Sequence, residues 1–233
     1  VMDGIPLLQP RRKKWLRVLY ALTLLQVNET GDDSLITRAH FVHVNHAEDT
    51  LMVNNVGLDI IYFYEIADGT VREKDRIYTE RGQHPRHSVY NLDESLLYVV
   101  TELSNEVLVY AMPEKKLLQR ISTLPEGFTG KSHCSAICLS PNEKTLYVAN
   151  RYSESLVYFR IGADGLLTKV LQEPVEAEKP RHMILTKDGR ALVVCYQVTG
   201  EVYIKPLGED GLPIHGAATH FPFAEAACAV HLD

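Results

Sequence analysis

Hydrophobic positions in this chain come in short runs that recur at a near-fixed interval. Four largely apolar tetrads stand out: Leu51-Met52-Val53-Asn54, Leu97-Tyr98-Val99-Val100, Leu146-Tyr147-Val148-Ala149 and Leu192-Val193-Val194-Cys195. Their first residues lie 46, 49 and 46 positions apart. Runs of this length, bounded by polar turns, read as strands buried on both faces. Each tetrad is preceded by a second apolar run: His40–Val44, Arg86–Tyr90, Ser135–Leu139 and Arg181–Leu185. Turns such as Pro141-Asn142-Glu143-Lys144 and Lys187-Asp188-Gly189-Arg190 separate the two. A third run follows, rich in β-branched and aromatic residues: Ile60–Tyr64, Val107–Tyr110, Leu156–Phe159 and Val202–Ile204. A weaker fourth strand includes Leu117–Ile121 and Leu167–Leu171.

Four short strands repeated with a period in the forties predict an all-β protein, a β-propeller of four-stranded antiparallel blades. Solenoid repeats are shorter or helical, which disfavours an open stack. A further run, Ala227–Leu232, falls in phase as a lone first strand that would close the ring. The four units and the lone strand amount to four to five blades, and a complete five-bladed ring is one way to close them. Residues 38–233 form the blades with the lone C-terminal closing strand, and residues 1–37 form an atypical N-terminal segment. Within that segment Arg11–Lys14 precede an apolar run, Trp15–Leu25, as in a signal peptide. Arg17 interrupts the run and no small-residue cleavage site follows, so a strand or helix packed on the body, a remnant of an earlier blade, is the preferred reading.

The repeat makes polar positions comparable between blades. Eleven residues before each tetrad stand His40, Arg86, Ser135 and Arg181; five after each tetrad's first residue stand Val56, Glu102, Arg151 and Gln197. First and second strands of a blade are antiparallel neighbours, so both sets fall at one end of the blades. His40, Arg86, Glu102, Arg151 and Arg181 are thus predicted to converge on one pocket, joined by His87, His182 and Gln197 at its rim. Three arginines in such a pocket suit a small anionic molecule. The alternative is a buried ion-pair network, but buried charge pairs are weak stabilisers by themselves.

Composition narrows the partners further. The net charge of −6 argues against nucleic acid, which demands basic surface. The apolar run at residues 15–25 is too short to span a bilayer. Four cysteines, at 134, 138, 195 and 228, show no chelating spacing and read as reduced thiols of a cytoplasmic protein. Cys134 and Cys138 read as core-filling. His40, His43 and His46 do not share one strand face, so no metal site is predicted. No phosphate-binding loop, dinucleotide fingerprint or nucleophile elbow is present, and no cofactor is expected.

Several motifs in register resemble one family. Pro85-Arg86-His87 followed by Leu97–Leu103, Leu146–Arg151, Val56-Gly57-Leu58-Asp59 with Tyr62 and Tyr64, and Pro180-Arg181-His182 are similar to the lactonase family of seven-bladed propellers. That family includes 6-phosphogluconolactonases and carboxy-muconate lactonizing enzymes. Seven blades of about 47 residues require about 330 residues, so the resemblance implies that the 233 residues here are four to five blades of a seven-bladed ring lacking its N-terminal blades. The resemblance implies a catalytic set of His40, Arg86, Glu102 and Arg151, the same residues that the repeat phase selects. It also implies a lactone or carboxylate substrate, most simply 6-phosphogluconolactone. His40 or Glu102 would serve as general base, Arg86 and Arg151 would hold the oxyanion, and Arg181 would bind the phosphate. Two alternatives stand beside hydrolysis: a lactonizing cyclase, and a non-enzymatic scaffold that binds a protein. One departure is Asn55, where the family has Asp.

Overall fold

The computed structural model describes residues 36–68 and 70–231. The readings placed on residues 1–35, including the apolar run at Trp15–Leu25, lie outside these. Sixteen strands form four sheets, each of four antiparallel strands in simple sequence order. Blade A holds β1 (Ala39–Val44), β2 (Thr50–Asn55), β3 (Ile60–Ala67) and β4 (Thr70–Tyr78). Blade B holds β5 (Pro85–Tyr90), β6 (Leu96–Thr101), β7 (Glu106–Ala111) and β8 (Lys116–Ser122). Blade C holds β9 (His133–Leu139), β10 (Thr145–Arg151), β11 (Ser155–Ile161) and β12 (Leu167–Pro174). Blade D holds β13 (Pro180–Leu185), β14 (Ala191–Tyr196), β15 (Glu201–Pro206) and β16 (Thr219–Pro222). These are the four-stranded units that the repeat predicts.

The chain divides into two compact units, Val1–Glu80 and Arg81–Asp233. The second contains blades B, C and D. There the first strand β9 lies between the first strands β5 and β13. Apolar side chains interleave at both boundaries. Tyr98, Val100 and Val109 meet Leu146, Val148 and Phe159; Tyr147, Ala149 and Tyr158 meet Met183, Leu192 and Val194. Burial from both sides explains why the tetrads lack strict alternation of apolar and polar residues.

The tyrosine of two tetrads has a specific task. Tyr98 of blade B donates its hydroxyl to the Gly165 carbonyl of blade C at 3.0 Å. One blade further on, Tyr147 donates to the Gly211 carbonyl of blade D, also at 3.0 Å. Gly165 has φ +77°, a left-handed conformation that favours glycine at the Asp164-Gly165 turn, and Leu96 packs against it. Each hydroxyl is one rung between adjacent blades. Tyr98→Phe and Tyr147→Phe should each destabilise the protein by about 1 kcal/mol, and additively, since the pairs are separate. Urea unfolding of the singles and the double variant measures this.

One prediction needs amendment. Ala227–His231 takes no strand conformation, and Leu232 lies outside the described residues. A strand needs a ladder partner, and Ala227–His231 has none among the described residues. Instead Ala226 and Ala229 pack on Cys195 and Val202. The departure at Asn55 has a structural reading: its amide oxygen accepts from the backbone N–H groups of Arg38, Gly57 and Leu58 at 3.0–3.2 Å, while its NH2 donates to Thr37 Oγ1 at 2.7 Å. The neutral amide therefore keeps a carboxylate's acceptor role at the turn and adds a donor.

Candidate functional site

The residues singled out by repeat phase share a backbone irregularity. In blade A the ladder skips from Ala39 to Phe41, in B from Pro85 to His87, and in D from Pro180 to His182. In blade C it skips from Ala136 to Cys134. The unpaired residue is therefore His40, Arg86, Ser135 or Arg181. An extra residue on one strand bends it and re-aims the side chain there, the reason such bulges gather beside functional sites. The second set lies opposite. Backbone N–H groups of Val56, Glu102 and Gln197 donate to the carbonyls of Arg38, His84 and Lys179, two residues before each bulge.

In the second unit this geometry brings three predicted residues into contact. Arg86 Nε donates to Glu102 Oε2 at 3.0 Å, and Arg151 Nη2 lies 2.9 Å from Glu102 Oε1. Arg86 is only 2% exposed and Arg151 8%. Glu102, with its side chain 21% exposed, is clamped between two guanidiniums. Arg86 Nη1 also donates to the Ser135 carbonyl of the next blade. Ser135 in turn donates its hydroxyl to the Pro180 carbonyl of blade D. The bulge residues thus stitch one inner strand to the next.

Not every donor is used. Arg151 Nε is buried with no hydrogen-bond partner among the described residues. Arg181 is half-buried and pairs with no carboxylate among them. Its charge is nonetheless felt at Arg86. Burial, together with the like charge of Arg151, lowers the Arg86 pKa to about 10; Glu102 opposes the shift and Arg181 adds to it. Arg86 therefore stays charged at neutral pH, in an excess of positive charge suited to an anionic ligand.

His87 and His182 join this cluster. Arg86 Nη1 donates to His87 Nε2 at 3.3 Å, so adjacent residues touch, which regular strand alternation forbids and the bulge allows. The rings of His87 and His182 meet edge to face at 5.9 Å. His182 Nδ1 accepts from the Ala229 N–H at 3.3 Å. Gln197 is half-buried and, among the described residues, makes only the backbone bond to Lys179. His40 holds the corresponding bulge in blade A, in the other unit.

His133, a further rim histidine, stands beside the residues selected by phase. His133 Nδ1 lies 3.6 Å from Glu102 Oε1, and its ring meets Tyr152 at 4.9 Å. It pairs with Arg151 across β9 and β10, and that pairing was the signal available in the sequence. Cys134 is also not just core filler. Fully buried beside Thr123 and Asn150, its thiol lies 3.3 and 3.1 Å from their side-chain oxygens, and burial raises its pKa to about 12. All four cysteines are free.

Burial lowers the pKa of His182, helped by Arg86, and that of His133, where Arg151 and Lys131 act in the same direction against Glu102. The unfolded chain thus binds more protons just below the ordinary histidine value of about 6.5. Their contribution to stability is complete above that value and declines as pH falls below it. Urea midpoints measured from pH 7.5 to 5 should fall more steeply for the wild type than for His182→Gln. Equal slopes would remove His182 from this account.

Propeller-type blades with a buried, arginine-rich cluster at their bulged ends define a class of all-β protein with fixed positive charge at the blade ends. The chain belongs to the lactonase, seven-bladed β-propeller family, whose model matches residues 24–229. It is 29% identical over 170 residues to the 6-phosphogluconolactonase of Bacillus subtilis, covering 71% of this chain and 49% of that protein. The 6-phosphogluconolactonase of Serratia proteamaculans is 25% identical over 174 residues, 72% of this chain and 53% of that one. The fold also matches the periplasmic gluconolactonase of Pseudomonas aeruginosa, with a TM-score of 0.78 and 24% identity over 87% of this chain and 59% of that structure. The chain spans about half the length of the curated relatives it matches.

Proposed function

We propose that this protein hydrolyses a sugar-acid lactone, with 6-phospho-D-glucono-1,5-lactone, giving 6-phosphogluconate, as the leading substrate. The observation that carries this reading is the Arg86–Glu102–Arg151 cluster, buried yet with the Arg151 Nε donor unused. A lactone carbonyl placed there meets fixed positive charge as its oxygen becomes an oxyanion. The names of the Bacillus and Serratia relatives support the substrate class.

In this mechanism water adds to the carbonyl carbon and passes its proton to a base. The carbonyl re-forms as the ring C–O bond breaks, and the ring oxygen takes up a proton. Both Glu102 oxygens already hold arginine hydrogens, so Glu102 serves to position the arginines. His133, with a depressed pKa, is neutral at pH 7 and able to accept the proton. The family resemblance gives this role to His40 or Glu102; with Glu102 held by the arginines, His133→Ala and His40→Ala should be assayed side by side. Arg181, whose charge is felt at Arg86, adds to the positive field around the reacting end. A cytoplasmic location is part of this reading, supported by the four free cysteines.

The test is turnover of 6-phosphogluconolactone beside a carboxy-muconate. Hydrolysis above the spontaneous rate supports the proposal. Faster conversion of the muconate would replace it with lactonization. No turnover and no stabilisation by 6-phosphogluconate would point to a scaffold.

A further inference from the structure

A second cationic cluster lies beside the site, on the same ends of blades C and D. Lys131 Nζ sits over the Tyr152 ring, 4.0 Å from its centroid, and Lys179 Nζ lies 5.3 Å from the same centroid. Tyr152 follows Arg151 in sequence, and Lys179 stands two residues before Arg181. The ring also meets His133, the neighbour of Glu102. Contacts therefore run without a break from the buried arginines to this rim.

Three features mark the cluster as built. Tyr152 adopts φ +70°, a left-handed conformation uncommon for an aromatic residue and found where surroundings impose it. Glu154 imposes it: Oε1 accepts from the Tyr152 N–H at 3.0 Å and Oε2 from the Lys179 N–H at 2.8 Å. That carboxylate is thus engaged by backbone, and among the described residues neither lysine forms an ion pair. An aromatic face holds an ammonium in place without neutralising it, so its N–H donors stay available. Tyr152 is itself 39% exposed, open to a ligand at the mouth.

We propose that Lys131, Tyr152 and Lys179 form a rim subsite for the phosphate of a phosphorylated sugar acid whose reacting end lies at Arg86 and Arg151. The proposal rests on the lactonase reading for the placement of the reacting end. It moves the phosphate from Arg181, where the sequence places it, to the two lysines. A phosphate carries nearly two negative charges at pH 7 and pairs with two ammoniums more completely than a single guanidinium allows.

Calorimetric titration of the full chain with gluconate and with 6-phosphogluconate at low ionic strength tests this. The wild type should bind 6-phosphogluconate about tenfold or more tightly than gluconate, and added salt should reduce the ratio. The double variant Lys131→Ala, Lys179→Ala should bring the ratio near one. Tyr152→Phe should preserve it, because the aromatic face remains. Arg181→Ala should weaken both ligands together. A ratio near one in the wild type, a ratio that survives the double variant, or one abolished by Arg181→Ala alone overturns the proposal. Turnover separates it from the lactonase reading: hydrolysis without phosphate preference removes only the rim, and preference without hydrolysis removes only the activity.

Discussion

Replacing Glu102 by Gln should cost the folded protein about 3 kcal/mol, the low end of the range for removing one partner of a buried ion pair, because the carboxylate is partly exposed. The carboxylate separates Arg86 from Arg151, both buried, with Arg181 adding its field. Without it the guanidiniums repel one another in a region poor in water. The same cluster should then become an anion sponge. Sulfate or phosphate in the millimolar range should restore much of the lost stability by binding beside the guanidiniums, whose charge the neutral amide leaves unbalanced. Urea unfolding with and without sulfate measures both effects. A loss under about 1 kcal/mol, or no response to sulfate, would show that Glu102 does not balance this cluster.

Arg151→Lys should lower kcat/KM for the lactone by about a hundredfold or more, the cost of losing an oxyanion donor. Lysine keeps the charge but not the fork. Arg151 reaches Glu102 through Nη2 while its Nε remains unused, and a single ammonium cannot serve both directions at once. The Glu102 contact is the easier to retain, so stability should change far less than turnover. Equal losses in stability and activity would instead make Arg151 a structural residue. The assay needs kcat and KM separately, since a transition-state donor lowers kcat, whereas a binding residue raises KM.

Much of the fold was legible because a blade's inner strands write themselves into the chain. The predicted first strands match β1, β5, β9 and β13 to within two residues, and the tetrads fall within β2, β6, β10 and β14. The outermost strands were harder. Thr70–Tyr78 is largely charged and Thr219–Pro222 is exposed throughout, so neither shows the apolar signal of a buried strand. The Ala227–Leu232 run misled for the opposite reason: its composition suits a strand, but a strand also needs a partner for its backbone.

The contact of Arg86, Glu102 and Arg151 was legible as a shared set of positions and not as a geometry. Arg86, Glu102 and Arg151 could be chosen by phase because equivalent positions in repeated blades occupy equivalent places. The sequence by itself determined the blade period, the all-β class and the charged residues at the blade ends, since burial on two faces leaves a one-dimensional pattern. Only the tertiary structure decided that each first-strand position is a bulge, that both Glu102 oxygens are taken by arginines, and that Tyr152 gathers two lysines. Those features depend on which backbone groups go unpaired and which side chains meet across blades. They arise from contacts between residues far apart in the chain, and no local pattern of residue types encodes them.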